Sequence, residues 1–438
     1  MAATTPYTPS TGNIPTVSPA RVAPAQVAAA QAGAALPATS AVPKTRVVAV
    51  VGIIAVVLIG LNLRAGITSA AALFHDLQQV LGYGALVASI LPSIPLLCFA
   101  VAGMGTSWLT RRVGVEKAIA IALALLAGGL LVRGVPVTGA LLGGTVLAMS
   151  GLAVCNVAMP SFIREHYSER TSMMTGLYTF TMSGGATFAA VVSVPLAQEL
   201  GSPSMGLAAW GLLGVAALLG FLPIVLHTHR NATKIDRPRV SMWPLLRTRL
   251  GILITAIFTF QAFLAYAVMS WFAYILTSQG LSASDSGLQF GVMQLVSVAA
   301  GMILLAFGSR PGMLRPALYL ASSSTLLAIA AMVWLPTSLA VVPAILFGFG
   351  LGIFPLVLVI ISRSGRSTAE TTALSTIAQS LGYLIAAIGP FGMGLLHSAT
   401  GGWVLPLSLL SVVAVALMVT CHLLTSKRTA TKTGPRTA

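Results

Sequence analysis

Arg64 is the residue whose type and position point most directly to chemistry. It lies in Asn62-Leu63-Arg64-Ala65-Gly66, inside a long apolar stretch, where a guanidinium costs roughly 2.5 to 3.5 kcal/mol on the scale of helix insertion into a bilayer. Its planar fork of donors suits a carboxylate-like or strongly dipolar group. We therefore expect Arg64 to bind such a ligand. The structural alternative is that the side chain reaches the outer interface or is held by helix carbonyls.

The acidic residues support this interpretation, because all 8 of them fall in loops or at the edges of the apolar stretches. Arg64 then has no carboxylate partner inside the membrane. A group that gains and loses a proton inside a membrane is usually a carboxylate or a histidine. Here the only such candidate is His422 in the last stretch, where packing or contact with lipid explains a lone histidine equally well.

Two prolines predict interruptions in the helices that carry polar groups. Pro160 removes the hydrogen bond that the Asn156 carbonyl would accept. A local break there would expose backbone groups and Asn156 to a cavity, whereas a simple kink with Asn156 bonded to a neighbouring helix is the alternative. Phe354-Pro355 predicts a comparable break in the second half of the chain.

Gln379 and Tyr383 are four residues apart, so they share one face of a helix. We expect both to line a cavity. The equivalent position to Gln379 in the first half of the chain is Met182, one turn after Tyr178.

The seventh apolar stretch carries three further candidates. Gln261 occupies the position that Arg64 has in the first half of the chain. Tyr266 lies about 140° round the helix from Gln261, so the two need not face the same cavity. Trp271 is either a cavity residue or an anchor at the membrane interface.

The chain that must position these residues is a membrane protein. Of its 438 residues 56% are hydrophobic and 7% charged, against about a quarter charged in a soluble domain, which excludes a soluble fold. Runs such as Val47 to Leu61 are apolar on every face, which excludes a β-barrel. At roughly 20 residues per crossing, twelve transmembrane helices are predicted: Val47–Ser69, Ala85–Ser107, Val115–Gly134, Thr138–Ile163, Met173–Ala197, Leu207–Leu226, Ile252–Leu276, Gly287–Phe307, Ala317–Leu335, Leu339–Ile361, Thr372–Leu396 and Val404–Thr425.

The net charge of +16 is explained by basic residues that collect on one side of the membrane. If both termini lie on one side, all but Arg64 and Arg133 of the 24 basic residues fall on that side. The positive-inside rule makes that side cytoplasmic, so nucleic acid is not needed as a partner. The predicted organisation is a disordered cytoplasmic tail (1–45), a six-helix bundle (46–227), a cytoplasmic linker (228–250), a second six-helix bundle (251–425) and a cytoplasmic tail (426–438).

Cysteine usage predicts neither a disulfide nor a metal site. The three cysteines, Cys98, Cys155 and Cys421, all lie in apolar stretches, without Cys/His spacing typical of zinc. No cofactor is expected either.

The two halves of the chain repeat in the same orientation. Met174 to Ala190 aligned without a gap to Thr371 to Ala387 matches seven positions, among them Gly185 with Gly382. An all-α protein of two parallel six-helix repeats joined by a basic linker, with its ligand held between the halves near mid-membrane, is the architecture of major facilitator transporters.

The motifs resemble those of the cyanate porter (CynX/NimT) family of that superfamily, over nearly the whole chain after the tail. They are Asn62-Leu63-Arg64, Asn156 to Pro160, Met174 to Tyr178, Gln261 with Tyr266 and Trp271, Phe354-Pro355, Ala378 to Leu384, Gly389-Pro390, and Leu396-His397 with Thr400 to Trp403. Two positions depart from the pattern. Arg111 stands where an acidic residue is usual, and Ala273 where relatives often have proline.

The resemblance implies an alternating-access transporter in the bacterial cytoplasmic membrane, and Arg64 favours a small anionic solute. We expect the protein to act as a monomer. Its site would include Arg64, Asn156, Tyr178 and the candidates of the second half: Gln261, Tyr266, Trp271, Gln379 and Tyr383. Export of neutral heteroaromatic compounds is the alternative, since it would use Tyr178, Tyr383 and Trp271. A membrane-embedded enzyme or sensor would need a catalytic cluster or an effector domain, so we do not expect an enzyme.

Overall fold

The computed structural model describes residues 46–227, 242–365 and 368–426, and within these three ranges the regular structure is entirely helical. The predicted N-terminal tail, residues 228–241 of the predicted linker and residues 427–438 lie outside the described residues.

The first bundle consists of helices α1 to α6. A short helix, Phe74–Leu81, follows α1, and α2 is divided by a 3-10 turn. The bounds are α1 Arg46–Ala72, α2 Ala85–Ile90 with Leu91–Ser93 and Ile94–Val113, α3 Val115–Val132, α4 Thr138–His166, α5 Thr171–Glu199 and α6 Pro203–His227. Gly114 has φ of +90° and joins α2 directly to α3, a conformation open to a residue without Cβ.

The second bundle repeats this arrangement with helices α7 to α12, after a short helix Met242–Leu246. Both α10 and α11 consist of two segments. The bounds are α7 Arg249–Ser278, α8 Ala283–Gly308, α9 Leu314–Trp334, α10 Val341–Leu351 with Phe354–Ser362, α11 Thr368–Ala386 with Ile388–Thr400, and α12 Val404–Thr425.

The start of α7 shows how the local sequence sets a boundary. Thr248 has an extended backbone, and its Oγ1 accepts a 3.0 Å hydrogen bond from the Gly251 amide. This N-cap satisfies one of the free amides of the first turn. Part of the predicted 228–250 linker is therefore helical, namely Met242–Leu246 and the first residues of α7.

Eleven helices in the described ranges are long and apolar enough to cross a membrane. The twelfth predicted transmembrane helix corresponds to α2, whose apolar part, Ala85–Val101, is shorter than those of the other eleven. Pro92 lies in its 3-10 turn, and Pro95 lies in the first turn of the segment that follows. Proline has no amide hydrogen to donate, so the α-helical bonding pattern is interrupted there.

Small residues bring the helices of the first bundle into backbone contact. A Cβ on Gly185 of α5 would lie 2.2 Å from the Leu61 carbonyl oxygen of α1, and one on Gly129 of α3 would lie 2.3 Å from the Ala148 nitrogen of α4. Such approaches gain dispersion energy and are typical of helix packing in lipid. The Gly185 contact places α1 against α5, and the Gly129 contact places α3 against α4.

The bundles have two ends. We call the end where α6 ends at His227 and α7 begins at Arg249 the linker end, and the opposite end, with the Phe74–Leu81 helix and the end of α7 at Ser278, the far end. Bundle-to-bundle contacts include a 2.8 Å hydrogen bond from Ser93 Oγ of α2 to the Ala387 carbonyl of α11.

Candidate functional site

Asn62 sets the direction in which Arg64 points. The Asn62 amide is buried and donates to the Leu58 carbonyl at 2.9 Å and to the Leu213 carbonyl of α6 at 3.0 Å. It thereby attaches α1 to its own bundle. Two residues further on, Arg64 lies about 200° round the helix, so its side chain leaves α1 on the side away from α6 and faces the second bundle.

Arg64 meets α7 at Met269. The distance from its Nη1 to the Met269 Sδ is 3.9 Å, and a thioether is only a weak acceptor. Among the described residues the ion pairs are His75 with Asp76 and His166 with Glu116, so no described carboxylate neutralises Arg64. The guanidinium is half-buried and retains donors for a ligand.

Three buried tyrosines from three helices lie within electrostatic range of this charge. Arg64 interacts electrostatically with the hydroxyls of Tyr178 in α5, Tyr266 in α7 and Tyr383 in α11. Tyr266 and Tyr383 pack edge to face with centroids 6.1 Å apart. We call these four residues the Arg64 site, which draws on both bundles.

Aromatic rings from α2 and α7 line the tyrosine side of the Arg64 site. Phe99 packs against Tyr383 with centroids 5.3 Å apart and against Tyr266 at 6.3 Å, and Phe258 meets Tyr383 at 5.0 Å. Neither phenylalanine is among the residues predicted from the sequence, because an apolar ring in an apolar helix carries no distinguishing signal. The site therefore combines one cation with a largely aromatic wall.

Several polar atoms here are left without protein partners. Within the described residues, the buried Tyr178 hydroxyl and the buried Gln261 Oε1 make no hydrogen bond. Asn156 is half-buried, and its side chain has no partner in the part of the chain that the structure describes. Since buried polar groups are nearly always satisfied, these atoms are candidates for contact with a ligand or water.

Gln379 differs from these residues because its amide is engaged within its own helix. Its Nε2 donates to Ser375 Oγ at 2.8 Å. The side chain is half-buried on the face of α11 that carries Tyr383.

Trp271 belongs to a different group of residues. Its indole nitrogen donates to the Pro390 carbonyl at 2.9 Å, and its ring packs against Phe74 at 5.0 Å, Tyr274 at 5.4 Å and Trp403 at 5.4 Å. With His397, which stacks on Trp403 at 3.9 Å, these rings form what we call the far-end cluster. Trp271 thus lies at the contact between the bundles at the far end, and its predicted role in binding the ligand stays a prediction.

Residues between α1 and α2 add two hydrogen bonds next to the far-end cluster. The Tyr274 hydroxyl donates to Gln78 Oε1 at 3.1 Å, and the Tyr83 hydroxyl donates to the Phe74 carbonyl at 3.2 Å. Burial, with a smaller contribution from Tyr274, raises the pKa of Tyr83. Tyr83 therefore stays protonated and keeps donating to the segment that carries Phe74.

The two proline sites behave differently. Pro355 lies in the first turn of the second segment of α10, directly after the interruption at Gly352 and Ile353. By contrast, α4 continues through Pro160 as one helix, so the predicted local break is not present. Proline fixes φ near the helical value and removes only one donor, and neighbouring helices can support the remaining turn.

Two charged features were missed from the sequence. Arg133, directly after α3, is 1% exposed and donates from Nη1 to the Gly66 carbonyl at 3.0 Å; a charge at a predicted helix end had given no sign of burial. At the linker end, ligand atoms of Glu116, Glu165 and His166 lie within 4.8 Å of one another, where the sequence analysis had expected no metal site. The contact of His166 with Glu116 at 3.3 Å accounts for two of them as an ion pair.

Comparison with known proteins identifies the family. Residues 53–387 match the Major Facilitator Superfamily. The chain is 30% identical over 365 residues to the uncharacterized transporter YycB of Bacillus subtilis (strain 168), covering 83% of this chain and 90% of the relative. It is 30% identical over 373 residues to the cyanate transport protein CynX of Escherichia coli (strain K12), covering 84% and 95%. With the 2-nitroimidazole transporter of the same organism it shares 27% identity over 394 residues, covering 87% and 96%.

Solved structures agree on the fold. A crystallised variant of the nucleoside transporter NupG superimposes with a TM-score of 0.71 at 10% identity, covering 85% of this chain and 100% of that chain. The D-xylose-proton symporter gives 0.66 at 12% identity, covering 85% and 97%. At such identity the likeness concerns fold alone. Taken with the matched residues and the curated relatives, it shows that the chain belongs to the Major Facilitator Superfamily and is a membrane transporter of the CynX/NimT-like type.

Proposed function

We propose that this transporter carries a small anionic solute, bound at Arg64, across the bacterial cytoplasmic membrane by alternating access. The single observation that supports this most strongly is the charge of Arg64, which has no carboxylate partner among the described residues and interacts electrostatically with tyrosines of both bundles. A buried cation without a counter-charge is costly in a membrane. A bound anion supplies that counter-charge while the bundles rearrange around it.

The geometry favours a small and planar or linear anion. The guanidinium offers a fork of donors, and the Tyr178 hydroxyl, which has no hydrogen-bond partner among the described residues, adds a further donor. Phe99 and Phe258 reduce the local polarity around them, which strengthens the attraction between the guanidinium and an anion. The relative named as a cyanate transport protein agrees with a ligand of this kind.

A neutral heteroaromatic solute is the second candidate. It is favoured by the aromatic wall that Tyr266, Tyr383 and Phe99 form, since a flat ring can pack against such a wall. The relative named as a 2-nitroimidazole transporter points in the same direction. A nitro group would still present two oxygens to Arg64.

Transport in proteoliposomes tests the role of Arg64. Wild type, Arg64→Ala and Arg64→Lys are compared for uptake of cyanate, small carboxylates and 2-nitroimidazole. We expect Arg64→Ala to abolish anion transport while remaining folded and inserted, and Arg64→Lys to keep partial activity because an ammonium lacks the fork. Arg310→Ala, at an exposed arginine outside the site, should transport as wild type. Anion transport by Arg64→Ala at the wild-type rate would contradict the proposal. If Arg64→Ala loses transport of 2-nitroimidazole but keeps transport of the anions, the second candidate is favoured.

We further propose that the linker end is cytoplasmic, with both termini on that side and the protein acting as a monomer. Cysteine labelling in intact cells tests the orientation. In a background without Cys98, Cys155 and Cys421, an impermeant maleimide should label Gln279→Cys in the exposed far-end loop but not Thr233→Cys in the linker. The reverse pattern would overturn the orientation.

A further inference from the structure

Arg133 is a second arginine whose charge has no described counterpart. It follows the last residue of α3, and the surrounding helices leave only 1% of the residue exposed. One hydrogen bond is made, from Nη1 to the Gly66 carbonyl of α1 at 3.0 Å. Within the described residues its Nε has no partner, and no ion pair involves it.

That single bond leaves most of the guanidinium unsatisfied. The group has five N–H donors, and a neutral carbonyl does not supply the counter-charge that a buried cation requires. The acidic residues of the described ranges lie in loops or in the first or last turn of a helix, and none is paired with Arg133. The guanidinium therefore has donors available for an acceptor that is not part of the described chain.

A cavity lies where such an acceptor would bind. It has a volume of about 30 Å³ and is lined by residues of α1 to α4 and α7, with Arg133, Thr145 and Ser270 as its polar members. The Thr145 hydroxyl donates to the Leu141 carbonyl at 2.6 Å. Ser270 is buried, and its hydroxyl makes no hydrogen bond to the described residues. The remaining wall is apolar, which strengthens attraction between Arg133 and an anion.

The cavity is separate from the Arg64 site. Its lining includes Gly66, Ile67 and Ala70 of α1 but none of the four residues of the Arg64 site. Because α1 runs from the linker end to the far end, these residues lie beyond Arg64 toward the far end. Ser270 comes from the second bundle, so an occupant of the cavity touches both bundles.

We propose that this cavity is a second anion-binding site, in which Arg133 and Ser270 hold a small monovalent inorganic anion such as a halide. The volume is about that needed for one or two water molecules, which excludes large organic anions. This site is independent of the identity of the solute carried at Arg64. It also explains why an arginine is buried beside the Gly66 carbonyl rather than at the membrane surface.

Thermal unfolding of the purified full-length protein in detergent tests the site, with sodium bromide compared with sodium gluconate at equal ionic strength. Gluconate is too large for the cavity. The Arg64→Met variant is used as the starting point, so that bromide cannot act through the first site. We expect bromide to raise its melting temperature by about 2 °C at ten times the dissociation constant.

Adding Arg133→Met should remove this rise, and adding Arg133→Lys should shift it to higher bromide concentration because the fork is lost. Ser270→Val, which keeps Arg133 but fills the cavity, should also remove it, so the test does not depend on one variant folding. Arg310→Met serves as the control for surface charge and should keep the rise. The proposal is overturned if Arg64→Met shows no bromide effect, or if the effect persists with Arg133→Met. Neither result would bear on transport at Arg64, which proteoliposome uptake measures separately.

Discussion

The hydroxyl of Tyr178 in α5 lies within electrostatic range of the Arg64 guanidinium in α1, yet it is buried without a hydrogen-bond partner among the described residues. Its ring is held in place by burial, being 2% exposed. An unsatisfied hydroxyl next to an unpaired cation is unfavourable for folding. It is useful only if a ligand or water binds to both groups.

Tyr178→Phe should therefore separate stability from affinity. Removing a hydroxyl whose desolvation costs about 1 to 3 kcal/mol should leave the melting temperature unchanged or higher, because no protein hydrogen bond is lost. Apparent affinity for the transported anion should fall about 2- to 10-fold. Melting curves and concentration-dependent uptake measure the two effects.

Tyr319→Phe is a matched control, because Tyr319 contacts His422 Nδ1 at 2.6 Å on α12, away from the site. It should leave affinity unchanged. A Tyr178→Phe protein that is destabilised and transports with wild-type affinity would show that the hydroxyl serves the fold.

Gln379 gives a test of the predicted pathway on α11. In a background without native cysteines, substrate should protect Gln379→Cys from a thiol reagent, because the residue shares a face with Tyr383. Tyr383→Phe should weaken apparent affinity with little effect on expression. Leu384→Cys, at a side chain that is 52% exposed on the bundle surface, should react equally with and without substrate. Equal reactivity of Gln379→Cys under both conditions would remove the residue from the pathway.

Gly394 allows the closure of the far end to be tested. A Cβ at this position would lie 2.6 Å from Ser89 Oγ of the first bundle and 2.7 Å from the Trp271 ring. Gly394→Leu should therefore keep the bundles apart at the far end and slow transport. An impermeant reagent added on the far side should then label Gln78→Cys faster, since separating the bundles would expose this position, which faces Tyr274.

Gly392→Leu is the matched control, because a Cβ there would meet only Leu409 Cδ2 at 3.8 Å. Labelling of Gln78→Cys should stay at the wild-type rate in this variant. Equal labelling in both leucine variants would contradict a role of the Gly394 contact in closure.

The helices themselves could be predicted because lipid imposes a simple requirement on the chain. Every backbone group in the bilayer must be bonded within its segment, so length and apolar composition suffice; the predicted span Val404–Thr425 coincides with α12. The interruption of α11 at Ala387 was not predicted. Nor was the continuity of α4 through Pro160. Both depend on neighbouring helices, which the local sequence does not specify.

The candidate site was predicted in part for a similar reason. Composition singled out Arg64, because a charge in an apolar run is conspicuous, and periodicity paired Gln379 with Tyr383. Periodicity within one helix says nothing about which helices are adjacent. Trp271 therefore could not be assigned to the far-end cluster before Phe74 and Trp403 were seen to pack against it.

The last prediction concerns energy coupling. A transporter that moves protons through its own side chains needs a group in the membrane that gains and loses a proton. In the described ranges every acidic residue lies in a loop or an end turn of a helix. His422 is exposed, with its Nδ1 2.9 Å from Arg315 Nη2. A guanidinium stays protonated at any pH that cells meet, so Arg64 cannot take this role.

For the proposed anionic substrate, we expect movement down its own gradient, or together with a proton carried by the substrate or by water beside Arg64. In either case the pH profile of transport follows the pKa of the substrate. Two substrates whose pKa values differ by several units should give pH midpoints in proteoliposomes that differ accordingly, because only one protonation state of each binds at Arg64. His422→Ala and Glu370→Gln should leave both midpoints in place, since neither residue belongs to the Arg64 site. If the two substrates share one midpoint and either variant abolishes it, a protein side chain titrates during transport and the coupling runs through that group instead.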